Sequence, residues 1–138
     1  MEVDATGCEV LSRDECLRLL SGERLGRLGL HAGALPVILP VAYAIVDDGV
    51  VVRTHEGALI YGAARDSVVA FEVDRPAAGG QCGWSVHVTS VAEEVTDPSQ
   101  LARLRALPLR RWADGEADRF VRIPLHLISG RRVVLASP

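Results

Sequence analysis

The chain contains no lysine: all fifteen of its basic residues are arginines. Schiff-base chemistry and lysine clamps on phosphate are excluded with it. Cysteine is sparse as well. Cys8, Cys16 and Cys82 are odd in number and lack CxxC spacing, which argues for small reduced thiols and a cytoplasmic protein rather than a disulfide framework. No run of about eighteen uncharged apolar residues occurs, so no membrane span is expected. The start, with Glu2 and Asp4, lacks the basic and apolar stretches of a secretory signal. Basic excess is also missing, and a net charge of −3 argues against a nucleic-acid partner. His31, His55, His87 and His126 lie far apart without HxxxH spacing, so no metal site is expected. Ser85 stands in Gly-Trp-Ser-Val rather than in a GxSxG elbow, which leaves a nucleophilic triad without support.

What is present describes one domain over residues 1–138, with 49% hydrophobic and 24% charged residues, enough to bury a core without staples. Residues 1–11 read as a flexible N-terminal arm. Ser12 with Glu15 is a capping box, and the spacing predicts a short helix over about 13–20. Strands are expected from Leu25 to about Leu30 and from Leu35 to Val46, with Asp47-Asp48-Gly49 as a hairpin turn before Val50 to Thr54. Ala58 to Arg65 favours a short helix, and Ser67 to Val73 a strand.

From about Gly83 to Val95 one long strand is expected, alternating Trp84, Val86 and Val88 against Ser85, His87 and Thr89. Asp97, Pro98 and Gln100 open another helix, which Pro108 ends. Two final strands, Arg119 to Ser129 and Arg131 to Ala136, are separated by Gly130. The sum is a mainly β chain with short helices and no strand–helix alternation, which favours a compact antiparallel barrel. The apolar strand carrying Trp84, Val86, Val88 and Val91 offers more apolar face than one small barrel covers, which points to a second copy.

One segment suggests anion chemistry. Arg53-Thr54-His55-Glu56-Gly57 leaves a strand and enters a helical stretch near Ala58, so a charge and a hydroxyl stand beside free backbone N–H groups. A plain strand–turn–helix connection with a solvated arginine accounts for the same residues.

The ordered set of motifs resembles a known family. Cys16-Leu17-Arg18-Leu19-Leu20 is followed by Gly26-Arg27-Leu28, Pro36, Pro40-Val41-Ala42-Tyr43 and Val52-Arg53-Thr54 with Gly57. Then come Ala70-Phe71-Glu72-Val73-Asp74, Gly83-Trp84-Ser85-Val86 and Ser129-Gly130-Arg131-Arg132. In this order, over roughly residues 12–133, they resemble the pyridoxamine 5'-phosphate oxidase-like flavin-binding split-barrel proteins, particularly the short bacterial members.

The resemblance implies a six-stranded antiparallel split β-barrel that forms a homodimer with FMN at the subunit interface. It places Leu39, Pro40, Val41 and Tyr43 along the flavin ring and Arg53, Thr54 and Gly57 near the ribityl phosphate. Trp84 and Ser85 match the stretch lining the phosphate or ribityl side; a tryptophan on such a strand also serves as core or dimer contact. The implied activity is FMN-dependent hydride transfer to an unspecified small molecule. One departure stands out: relatives commonly carry a phosphate-pairing lysine where this chain has Leu59 or Ile60. A deazaflavin-dependent reductase, or a non-catalytic barrel that lost tight phosphate anchorage, are the alternatives.

Overall fold

Ser12 accepts a hydrogen bond on Oγ from the N–H of Glu15 (3.2 Å) and so opens helix α1, Arg13–Ser21, which buries Cys16 and Leu20. Only half of the capping box forms. The Glu15 carboxylate turns instead to Arg18 and Arg132. The computed structural model describes residues 1–80, 82–109 and 118–133; Trp112 and the end of the expected last strand lie outside them.

Ahead of α1, β1 (Glu9–Val10) pairs with the last strand, and Leu11 N–H donates to the Gly130 carbonyl. The Asp4 carboxylate accepts from Thr6 and Cys8 N–H groups and so folds the first residues into a turn. Following α1 come β2 (Leu25–Ala32), β3 (Leu35–Ala42), β4 (Ala44–Val46) and β5 (Gly49–Thr54). The short helix α2 (Leu59–Ala64) leads into β6 (Val68–Pro76) and β7 (Cys82–Val91). β8 (Glu93–Glu94), α3 (Pro98–Arg105), β9 (Arg119–Pro124) and β10 (Leu127–Arg132) complete the chain.

The strands form two antiparallel sheets, one in the order β1-β10-β7-β6-β2-β3 and one in the order β4-β5-β9-β8. The mainly β, antiparallel character expected of a six-stranded split barrel is present, but among the described residues the strands do not close into one barrel: each sheet keeps two open edges. The reason is local. The run Leu35 to Val46, read as one strand, breaks at Tyr43, whose N–H donates to the Arg24 carbonyl, and β3 and β4 enter different sheets. The Tyr43 hydroxyl donates to the Leu20 carbonyl at 2.5 Å, and its ring meets Phe71 edge-on at 5.0 Å. Burial pushes the phenol above its ordinary pKa, so it stays a donor.

One core lies between the sheets and includes Leu20, Leu28, Val41, Phe71, Val86, Val88 and Ile123. A smaller one gathers Val51, Val95, Leu104, Leu109 and Phe120 under α3. α3 starts as its sequence dictates: Asp97 caps the Gln100 N–H at 3.0 Å, with proline in the first turn. Asp47 and Asp48 adopt φ of 48° and 57° in the β4–β5 hairpin, as a tight turn requires.

Two further boundaries differ from expectation. The long strand ends at Val91 because the residues after Ala92, Glu93 and Glu94, leave β6 and pair with β9 in the other sheet. Gly130 is not a turn but an interior residue of β10. A Cβ there would lie 2.7 Å from the Cys16 sulfur and 3.1 Å from the Ser85 carbonyl, so the missing side chain is what lets α1 pack on the sheet.

Candidate functional site

The strand expected to carry a ring cofactor is an edge. Only β2 pairs with β3 among the described residues, and the register sets Pro36 opposite His31, Ile38 opposite Gly29 and Pro40 opposite Arg27. Proline has no N–H to give, so its pairs are the non-hydrogen-bonded ones of the antiparallel ladder. Ile38, in the same phase, therefore turns its N–H and carbonyl toward the open edge. The side chains divide: Leu39 and Val41 point into the core, while Pro36, Ile38 and Pro40 sit on the outer face. Any contact of the 39–43 stretch with a planar ligand thus runs through backbone at the edge.

Arg53 and Thr54 end β5 on opposite faces, as alternation requires. Thr54 is buried at 3% exposure on the inner face, opposite Arg119 in the register. Arg53 points the other way. Its Nη2 and Nε donate to the two carboxylate oxygens of Asp118 at 2.5 and 3.2 Å. Its Nη1 donates to the Leu109 carbonyl at 3.2 Å, and its guanidinium lies 5.6 Å over the Phe120 ring. All three interactions hold the guanidinium on the side of the smaller core.

The arginine at the turn is another one. Arg119, beside Thr54, pairs with Glu56 in the turn and with Glu94 at 3.3 Å, and lies 5.7 Å over the Tyr61 ring. Its Nε is buried with no hydrogen-bond partner. Sequence reasoning missed it because only the β5–β9 register sets it next to Thr54, and their separation along the chain carries no such signal. Gly57 continues the turn, with space for a Cβ at 3.6 Å from the His55 ring. Leu59, half exposed at the start of α2, opens onto a groove of about 530 Å³ that also carries His31, Gly33 and Ser67.

Trp84 and Ser85 stand elsewhere. β7 lies three strands from β3, about 14 Å away at roughly 4.8 Å per strand. Trp84 packs against the main core and pairs with Arg75 and Arg132 across the sheet, while Ser85 faces outward. Within one chain the expected site residues therefore fall into two groups. Between them runs the outer face of the larger sheet, where the register aligns Leu127, Thr89, Ala70, Gly29 and Ile38 in one row across five strands. The next row is polar: Ser129, His87, Glu72, Arg27 and Pro40. Arg27 bridges Glu72 at 2.7 Å and Asp74 at 3.1 Å. Burial, with Asp74 close by, raises the Glu72 pKa, and burial lowers that of His87.

Arg131, in register with Ser85 and in phase with Ser129, lies on this outer face, whereas Arg132 lies on the opposite one; both pair with carboxylates of the N-terminal part of the chain. Arg131 pairs with Asp4, and Arg132 with Glu9 and Glu15.

Two open antiparallel sheets joined by short helices make this a mainly β protein whose fold is shared with solved relatives. The model of the pyridoxamine 5'-phosphate oxidase family matches residues 12–132, and the chain belongs to that family. The protein Rv0080 of Mycobacterium tuberculosis is 40% identical over 132 residues, covering 92% of this chain and 86% of that protein. The FAD-binding protein of Mycobacterium smegmatis superposes with a TM-score of 0.74 at 31% identity, covering 89% of this chain and 95% of its own. The conserved protein DIP1874 of Corynebacterium diphtheriae gives a TM-score of 0.74 at 30% identity, covering 92% and 98%.

The residues present fit a flavin in two parts. The open edge at Ile38 offers a backbone donor and acceptor, groups that can pair with the edge of a planar ring. The turn after Thr54 brings up the Arg119 guanidinium, paired with Glu56 and Glu94 and with its buried Nε lacking a partner. No helix among the described residues is long and apolar enough to cross a membrane.

Proposed function

We propose that the chain is a flavin-dependent oxidoreductase, cytoplasmic and homodimeric, that holds its cofactor where two copies meet. The observation that carries this reading is the open edge of β3, which presents the backbone of Ile38 next to the 39–43 strand in a chain of this family. A bound flavin supplies the hydride chemistry at its own ring, and the protein orients it and tunes its electronics. The chain's own part is modest: β3 would read the ring edge, while Thr54, Gly57 and Arg119 would border the phosphate.

A second copy is needed for the rest of the site. Val86 and Val88, which the sequence offers as part of a dimer face, are fully buried in the chain's own core. On the outer face the uncovered large apolar groups are others: Leu25, Ile38, Val68, Val91 and Leu127, exposed at 51% or more around the row of small residues Gly29, Ala70 and Thr89. Face-to-face packing about a two-fold axis along the strands would cover that row. It would also carry the Trp84–Ser85 end of one copy toward the 39–43 edge of the other.

FMN and FAD are both in reach, since the Mycobacterium smegmatis relative binds FAD. A flavin site without catalysis is the second reading, favoured by Leu59 in place of a lysine and by the engagement of Arg53 with Asp118. Titration with FMN, FAD and a deazaflavin, followed by stopped-flow reduction of the bound form, separates these. Saturable flavin binding with reducible cofactor supports the oxidoreductase; binding without turnover of any donor or acceptor supports the second reading; no binding of either flavin ends both.

A further inference from the structure

A second concavity lies at the β3–β4 switch. It encloses about 450 Å³, within the range of small-molecule sites. Residues 42–45 form its floor, the end of α1 with the turn after it forms one wall, and residues 107–109 form the other.

Polar ties hold it open. The Tyr43 hydroxyl fixes the floor to the Leu20 carbonyl of one wall at 2.5 Å. The Arg53 guanidinium, itself gripped by Asp118, fixes the Leu109 carbonyl of the other wall at 3.2 Å. Ala42 and Ala44 contribute only a methyl each to the floor, where larger side chains would fill the space. The cleft thus stands between restrained walls.

Its chemistry is one-sided. Ile45, Leu107, Pro108 and Leu109 line it with the two alanines, and among the described lining residues the charged side chains are Glu23 and Arg24, both at the α1 end. A charged ligand group seated on the alanine floor would lose its water without gaining a counter-charge there.

We propose that this cleft binds a neutral, mainly apolar ring compound, its ring against Ala44 and any polar substituent toward Glu23 and Arg24. The binding proposed here does not rest on the flavin reading.

The test is an NMR titration of the isotope-labelled full chain with naphthol and, in parallel, with naphthalene sulfonate. Saturable shift changes are expected at the Ala44, Ile45, Leu107 and Leu109 amides, with naphthol binding about tenfold tighter than the anion or better. Ala44→Leu, which fills the floor, should weaken naphthol binding by about tenfold or more. Ser21→Trp, an exposed change at the mouth, gives the same readout if the first variant does not fold. No saturable change at those amides, or unaltered naphthol affinity in the folded variants, overturns the proposal. Flavin titrated on the same samples separates the two readings. Naphthol binding that persists without any flavin affinity removes the flavin reading alone, and the reverse removes the cleft alone.

Discussion

Arg53 and Asp118 face each other as a two-point ion pair, with Nη2 2.5 Å from Oδ2 and Nε 3.2 Å from Oδ1. Both side chains are about three-quarters or more withdrawn from solvent. The same guanidinium caps the Leu109 carbonyl and covers Phe120, so it joins β5 to the segment after α3 and to β9. In this position an arginine that the sequence offers as a phosphate ligand acts as a tie within the fold.

Arg53→Ala should therefore lower stability by about 1–3 kcal/mol, the usual range for losing charge-assisted hydrogen bonds in a part-buried setting. Thermal unfolding checks it, with an expected fall in Tm of several degrees. An unchanged Tm together with a large loss of flavin affinity would return Arg53 to the cofactor.

Gly130→Ala should cost about 1–3 kcal/mol, because its Cβ would stand 2.7 Å from the Cys16 sulfur and 3.2 Å from a Val86 methyl. Combining it with Cys16→Ala removes the closest of these clashes. The double variant should then be less destabilised than the sum of the two single changes, as a denaturant-melting cycle would show. Simple additivity would mean that the sheet adjusts elsewhere.

The Glu15 carboxylate accepts from Arg18 and Arg132, and these hydrogen bonds hold its pKa down to about 2 from 4.5. A depressed folded-state pKa gives stability that is present above 4.5 and lost as pH falls toward about 2. Urea midpoints measured across that window should drop more steeply for the native chain than for Glu15→Gln. Parallel curves would show that the pairs with Arg18 and Arg132 contribute nothing to the fold.

Much of the local structure is legible in the residues themselves. Ser12 and Asp97 cap the helices they are expected to cap, and Asp47-Asp48-Gly49 makes its hairpin because few other residues accept those φ values. Inward Val86 and Val88 alternate with outward Ser85, His87 and Thr89 along β7. What escapes is set by distant neighbours. The apolar run 35–46 contains nothing that announces the change of sheet at Tyr43, which is fixed by hydrogen bonds to Leu20 and Arg24. Gly130 reads as a breaker until Cys16 is seen beside it. At the candidate site, alternation sends the Arg53 and Thr54 side chains to opposite faces of β5, and the β5–β9 register sets Arg119 beside Thr54, which no spacing along the chain announces.

Leu59→Lys places an ammonium at the start of α2, close after the turn that follows Thr54. A charged hydrogen bond to phosphate is worth about 1.5–3 kcal/mol, which predicts FMN binding about tenfold to a hundredfold tighter. Riboflavin, which lacks the phosphate, should bind the native and substituted chains alike. An equal effect on both ligands would place the phosphate away from Leu59.

Whether two copies hold the flavin between them is open to one direct measurement. Sedimentation equilibrium followed at the flavin's visible absorbance, at micromolar protein, reads mass and cofactor in one experiment. The expected result is a flavin signal that sediments with the mass of two chains, and that reverts to free flavin when Ala70→Arg charges the middle of the outer sheet row. A flavin signal that sediments with a single chain, or one that survives in an Ala70→Arg monomer, would contradict it.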